Sequence, residues 1–235
     1  MKLVTLLTLA LISAGSARGE SFTSNPDVAV PDFDFNGVVD TIQVSGLGAT
    51  PIGDVNVALQ LAGGWNGDYY AYLWHEGQSA VLLNRAGRTR SNPDGYSNGG
   101  FGPNALGGSF TLDDQAAADV HRYQTGAYDL YAGKVTGTWQ PDGRSLDPEA
   151  PGADFDLNLR PAMLDVFNGL NANGAWSLYL VDASPGAVGR LVSWEITVAQ
   201  VPEPGSAVLA AVAFGGAGAV VVWKRRPRCA AKLQA

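Results

Sequence analysis

Histidine occurs twice in this sequence, at His75 and His121, and cysteine once, at Cys229. Nucleophilic hydrolysis needs a serine or cysteine beside an imidazole that takes its proton. Serines and aspartates are plentiful, but their spacing from the two histidines is read as marking out no triad, and both histidines are read as structural or surface residues. Two imidazoles are too few for an ordinary histidine-rich zinc site unless carboxylates complete it. Carboxylates are the more abundant chemistry. Asp32 and Asp34, in Pro31-Asp32-Phe33-Asp34-Phe35-Asn36-Gly37, and the adjacent Asp113 and Asp114 lie among turn-forming residues, where carboxylate and carbonyl oxygens can hold Ca²⁺. Neither stretch follows the spaced pattern of an EF-hand loop, so solvated turns are the competing reading of the same four residues. Paired carboxylates can also cleave glycosides, but that depends on a separation in space. Aromatic rings offer a third chemistry. Trp65, Tyr69, Tyr70, Tyr72, Trp74 and Tyr96 could stack on a sugar or a partner, with Trp65, Tyr70 and Trp74 as the candidate stacking set; packing under a loop is the alternative use.

Charge narrows the partners. The 235 residues carry a formal charge of −7. Of the 15 basic residues, 7 lie at the ends (Lys2, Arg18, Lys224, Arg225, Arg226, Arg228 and Lys232), leaving 8 between residues 20 and 201; of the 22 acidic residues only Glu203 falls outside, leaving 21, so that stretch carries −13. Nucleic acid is excluded as a partner, because binding it requires a basic surface that releases counterions.

The elements that must position these residues read as strands. Large aliphatics alternate in Val55-Asn56-Val57-Ala58-Leu59-Gln60-Leu61, and Val192-Ser193-Trp194-Glu195-Ile196-Thr197-Val198 alternates apolar with polar residues. Residues 38–44, 69–74, 80–83 and 176–181 follow the same habit, bounded by Gly, Asn, Asp and Pro clusters suited to turns. Only Ala116-Ala117-Ala118-Asp119 hints at helix. Many short strands with glycine-rich connections predict an all-β fold, an antiparallel jelly-roll-like β-sandwich, with residues 88–108 and 140–160 as surface excursions.

The two ends have a different character. Lys2, an apolar run over residues 3–12 and the small residues 13–17 predict a secretory signal peptide over residues 1–19. At the other end, Val201-Pro202-Glu203-Pro204-Gly205 precedes the uncharged stretch 206–223 and the basic tail 224–235. An apolar helix needs about 17 to 25 residues to span a bilayer, so 206–223 just suffices as one transmembrane helix. Basic residues behind it place the preceding domain outside. Pro202 and Pro204 lack N–H donors and keep the junction extended and accessible. Val-Pro-Glu-Pro, a short apolar span and a terminal arginine cluster resemble the PEP-CTERM sorting signal of Gram-negative bacteria. The resemblance implies that exosortase in the inner membrane processes the chain near Val201, Pro202, Glu203 and Pro204, and that the product passes to the cell surface, often alongside exopolysaccharide. A stiff linker to a permanent anchor is the plainer alternative.

After a short segment, 20–29, residues 30–200 resemble a second family. Val30-Pro31-Asp32, Thr41-Ile42-Gln43-Val44-Ser45-Gly46, Gly67-Asp68, Leu82-Leu83-Asn84-Arg85, Phe167-Asn168-Gly169-Leu170-Asn171-Ala172-Asn173-Gly174-Ala175-Trp176-Ser177-Leu178 and Gly189-Arg190-Leu191-Val192-Ser193-Trp194 are similar to the P domain (P/Homo B domain) of subtilisin-like proprotein convertases. That family implies a jelly-roll sandwich, galactose-binding-like in architecture, beside a serine protease domain. About ten residues separate the predicted signal peptide from Val30, so no protease domain precedes this one, and residues 146–160 look like an insertion. The sequence therefore predicts a non-catalytic exported surface or matrix protein. The alternatives are a module that binds glycan or a separate surface protein, and an accessory partner of a separate subtilisin-like protease. No cofactor is implied beyond Ca²⁺.

Overall fold

Alternation of apolar and polar residues becomes two sheets packed face to face. The structure is a computed structural model that describes residues 19–97, 108–125, 135–157 and 159–201. The strands are β1 (Glu20–Ser24), β2 (Val28–Val30), β3 (Val38–Val44), β4 (Ile52–Gly63), β5 (Tyr69–His75), β6 (Gln78–Asn84), β7 (Gly108–Leu112), β8 (Gly137–Trp139), β9 (Gly174–Asp182) and β10 (Gly189–Gln200). One sheet runs β1-β10-β4-β7-β8, with β2 following β1 along the same edge of β10; the other runs β3-β9-β5-β6. All pairs are antiparallel except β7 with β8, which is parallel. That exception departs from the wholly antiparallel expectation. A parallel neighbour needs a long crossover, and residues 113–136 supply it.

Inward side chains from both sheets form one core. Val55, Val57, Leu59 and Leu61 of β4 meet Trp176, Leu178 and Leu180 of β9 and Trp194, Ile196 and Val198 of β10, all buried. The two tryptophans are the largest fully buried side chains, as their place in the alternation requires. Trp194 also joins the sheets through a polar bond, its indole N–H donating to Asp40 Oδ2 on β3 at 2.6 Å. Along β10 the register with β4 shifts twice, near each end of the strand. The register shifts between Leu191 and Ser193, so Leu191 faces the core and Val192 does not, the reverse of the expected phase.

Two loop expectations change. Residues 116–119 form turns rather than helix; Asp119 bridges Gln140, and a 3-10 turn begins one residue later, over Val120–Thr125. The predicted excursion after Gln140 begins in the interior, with residues 141–144 buried, and reaches the surface only from residue 145. Asp142 and Gly143 donate backbone bonds to Leu82 and Val81, Val81 donates to Ala162, and Ala162 donates to Gly143. These bonds cover the otherwise open edge of β6, and an unpaired edge invites pairing with another chain. Within residues 146–160, the one-turn helix α1 (Gly152–Phe155) buries Phe155 against the body of the domain.

The described residues fall within one compact unit. No helix among the described residues is long and apolar enough to cross a membrane; the predicted signal peptide, the span 206–223 and the basic tail 224–235 lie outside the described residues.

Candidate functional site

On a half-buried sheet the outward positions are ordinarily polar. On the outer face of β3-β9-β5-β6, β5 and the neighbouring Tyr179 of β9 present aromatic rings instead. Alternation points Tyr70, Tyr72 and Trp74 outward from β5, and the register places Tyr72 beside Tyr179 of β9 and Tyr179 beside Val39 of β3. Ring centroids lie 6.0 Å apart for Tyr70 and Tyr72 and 4.8 Å apart for Tyr72 and Tyr179. Tyr179 donates its hydroxyl to the Phe35 carbonyl, which fixes the ring. Trp74 is 44% exposed and Val39 64%, so the row is open to solvent.

Two grooves follow this row and share Tyr179. One, about 380 Å³, is lined by Val39, Tyr72, Trp74, Ser177 and Tyr179. The other, about 430 Å³, runs from Tyr70, Tyr179 and Phe35 to Ser145, Asp147 and Glu149. Neither is lined by a Lys or Arg. Burial, then the neighbouring Tyr72, pushes the Tyr70 phenol above its ordinary range, so the ring stays uncharged at neutral pH. A larger hollow, about 480 Å³, beside the exposed Arg190–Asp27 pair is walled by Ala29, Ala62, Gly63 and Gly189 and has no ring on which to stack.

The candidate stacking residues therefore divide. Tyr70 and Trp74 belong to the face with Tyr72. Trp65 lies elsewhere, its ring filling the space over Gly186; Tyr69 is fully buried, and Tyr96 packs against Tyr123. The sequence did not single out Val39, Phe35 and Tyr179 for this face: strand register brings Val39 and Tyr179 there, and the turn before β3 brings Phe35 within reach of the Tyr179 hydroxyl.

The four aspartates named for calcium fall into turns. Asp34 Oδ1 accepts the N–H of Asn36, Asp113 Oδ1 that of Gln115, and Asp114 the N–H groups of Leu164 and Asp165. Asp32 Oδ1 accepts from Gly186. Among the described residues no three His, Cys, Asp or Glu side chains are arranged as a metal site.

Both histidines are interior. His75, at the end of β5, places Nε2 2.7 Å from Asn171 O and Nδ1 3.0 Å from Ala175 O, and its ring stacks on Trp176 at 3.8 Å. His121 Nδ1 lies 2.7 Å from Asp142 Oδ2 and Nε2 lies 2.9 Å from Arg88 O. Asp142 also accepts from Arg144, which reaches on to Asp119. Burial works against the Asp142 charge, yet His121 and Arg144 together hold its carboxyl below the ordinary value. Gly95-Tyr96-Ser97-Asn98-Gly99 has the Gly-x-Ser-x-Gly spacing of a nucleophile elbow. That signature needs a strand-to-helix elbow. Ser97 instead follows a chain of turns, its N–H bonded to Gly95 O, and all four imidazole nitrogens are spent on other partners. No protease triad is present among the described residues.

A second carboxylate pair lies where β5 begins. Asp68 and Asp182 are 1% and 0% exposed. Asp182 pairs with Tyr69, and Asp68 O accepts the Ala183 N–H at 2.8 Å. Burial first, and then the Asp182 charge, pushes the Asp68 carboxyl up to about 7; burial pushes Asp182 up to about 6. Arg85, in the left-handed region at φ 51°, reaches over them, donating to Gly67 O and Ala183 O and lying 3.8 Å from Asp68 Oδ1.

No family model and no curated protein matches this sequence, so the two resemblances rest on the residues quoted for them. Among solved structures, the chain is similar to the Aeromonas sobria serine protease in its complex with a chaperone, at 16% identity and a TM-score of 0.39 over 77% of this chain and 26% of that one. It is similar also to the serine protease of Aeromonas sobria, at 15% identity and a TM-score of 0.35 over the same shares. This chain thus spans about a quarter of the length of the solved chains it matches.

Proposed function

We propose that this protein is an exported, non-catalytic binding module that holds a neutral surface carbohydrate on the aromatic face of its second sheet. The row Tyr70, Tyr72, Trp74 and Tyr179 carries this reading. Rings kept out of the core and flanked by grooves are unfavourable in water unless something covers them. A pyranose has a face of C–H groups that stacks on a flat ring and hydroxyls that donate to carboxylates and serine oxygens, which Asp147, Glu149, Ser145 and Ser177 supply. The missing cations argue against acidic sugars, and the −13 of residues 20–201 adds repulsion.

Export rests on the ends of the sequence. In this reading residues 1–19 direct secretion and residues 201–235 form a PEP-CTERM address that exosortase removes at the inner membrane, leaving a P-domain-like jelly roll at the surface among exopolysaccharide. The order of Pro-Glu-Pro, apolar span and arginines supports it. Accessory service to a separate subtilisin-like protease rests on the P-domain resemblance, and co-purification of such a protease would favour it.

Affinity electrophoresis of the full chain through gels containing neutral polysaccharides tests the main reading. Retardation should occur and should disappear in Trp74→Ala and Tyr72→Ala, with the melting temperature of Trp74→Ala nearly unchanged. Equal mobility of wild type and both variants in every gel would reject it. Intact mass of the mature protein, with its location, tests export: a species at the surface ending near Pro202 is expected, whereas Trp223 and Arg225 retained in the inner membrane would show plain anchoring.

A further inference from the structure

Side chains on a strand repeat their direction every second residue, and a rise of about 3.3 Å per residue puts Tyr70 and Trp74 about 13 Å apart along β5. One pyranose cannot cover that length. Tyr72 stands between them and Tyr179 beside it, with ring centroids 6.0 Å apart for Tyr70 and Tyr72 and 4.8 Å apart for Tyr72 and Tyr179. The rings form a track rather than a cage. Both ends of the track are open: Trp74 is 44% exposed and is followed by the exposed turn Glu76-Gly77, while Ser145, Asp147 and Glu149 are exposed beyond Tyr70. A bound chain can therefore run on in either direction.

The rings do not share a plane. Tyr70 and Tyr72 meet at 51°, and Tyr72 and Tyr179 at 40°. A crystalline polysaccharide presents a flat face, which asks for coplanar rings, whereas a dissolved chain can rotate each unit against the last and offer its C–H face to each tilted ring in turn. The polar end adds a second demand. Asp147 Oδ1 accepts the Glu149 N–H at 2.8 Å, which fixes that loop, and ionised carboxylates only accept, so a sugar unit there must donate through free hydroxyls.

We propose that the ligand is an interior stretch of a dissolved, linear, neutral polysaccharide, laid along β5 from Trp74 to Tyr70 with free hydroxyls at the Asp147 and Glu149 end. The proposal rests on the carbohydrate-binding role and goes further, excluding single sugars, chain ends and crystalline surfaces. Each ring contributes its own contact, so affinity grows with chain length until the track is full.

The polysaccharide that retards the full chain in affinity electrophoresis is cut by partial hydrolysis into oligomers from the monosaccharide to the hexasaccharide, and each is titrated by calorimetry. Affinity should rise about tenfold or more from the disaccharide to the tetrasaccharide, then level off. Tyr70→Ala should flatten this rise; if that variant fails to fold, Glu149→Ala, at an exposed position, should do so in its place. Borohydride reduction of the terminal unit should leave hexasaccharide binding unchanged, and microcrystalline cellulose should retain the protein no better than an inert bead. Equal affinity for monosaccharide and hexasaccharide, loss of hexasaccharide binding on reduction, or retention on crystalline cellulose would each overturn the proposal and leave carbohydrate binding standing. Retardation in no gel would remove both together.

Discussion

Trp176 shows how a single side chain ties sequence to core. Its indole N–H donates to Ala172 O at 2.9 Å, His75 stacks on its face, and Phe167 meets it edge-on with centroids 5.0 Å apart. Trp176→Ala should cost about 3 to 5 kcal/mol, measured by denaturant unfolding, because it removes a fully buried ring and leaves a cavity. A loss below about 1 kcal/mol would mean that the neighbours collapse into the space. Asp142 makes the corresponding polar case. Removing its charge with Asp142→Asn leaves Arg144 and His121 partly unpaired in the interior and should cost about 3 to 5 kcal/mol at neutral pH. The folded carboxyl is held below the ordinary value, so its contribution is present above the unfolded value of 3.8 and fades as pH falls through the folded one. Asp119, Arg144 and His121 face this carboxylate directly or through Arg144, and Arg160 closes the cluster by donating to Asp142 O at 2.9 Å. The gap between wild type and Asp142→Asn should therefore narrow in acid, as melting curves across the acidic range would show. A constant gap would mean that Asp142 stabilises by packing rather than by charge. Both histidines were legible as structural residues, since the sequence offered no partner set for catalysis; that each ring would spend both nitrogens inside the fold was not, because Asn171, Ala175, Arg88 and Asp142 are distant in sequence.

Strands were legible where alternation is long. β4, β5, β9 and β10 each show enough period-two pattern to be read directly, whereas β8, with three residues, is a strand only because β7 lies alongside it. The β10 bulge escaped for a related reason: Val192 and Leu191 are both apolar, and pairing with β4 decides which one turns inward. Residues 140–146 read as loop because their pattern is polar, yet they cover the β6 edge with backbone bonds that sequence cannot advertise. The amides of Asp142 and Gly143 should therefore exchange with solvent as slowly as those of β6, followed by NMR, and exchange at loop rates would remove this edge cover. Gly143 adopts φ 70°, and a Cβ there would meet Met163. Gly143→Ala should lower stability by about 1 kcal/mol or more, because both the conformation and the space oppose it. The aromatic face has the same mixed origin. Tyr70, Tyr72 and Trp74 share one side of β5 by alternation alone, but Tyr179 and Val39 reach it through the register of three strands.

For the whole molecule, composition sets the limits. An acidic stretch without cysteine must hold itself by its core, and the described domain does so with two sheets, two buried tryptophans and a few cross-sheet bonds such as Trp194 to Asp40. The sequence by itself determined the all-β class and the two-sheet core. These follow from period and composition, which are local quantities. Only the tertiary structure decided which aromatics share a face, which aspartates are turn caps and which two sit buried where β5 begins. Those depend on residues such as Asp68 and Asp182, or Tyr72 and Tyr179, that lie more than a hundred positions apart and meet solely because β9 pairs with β5.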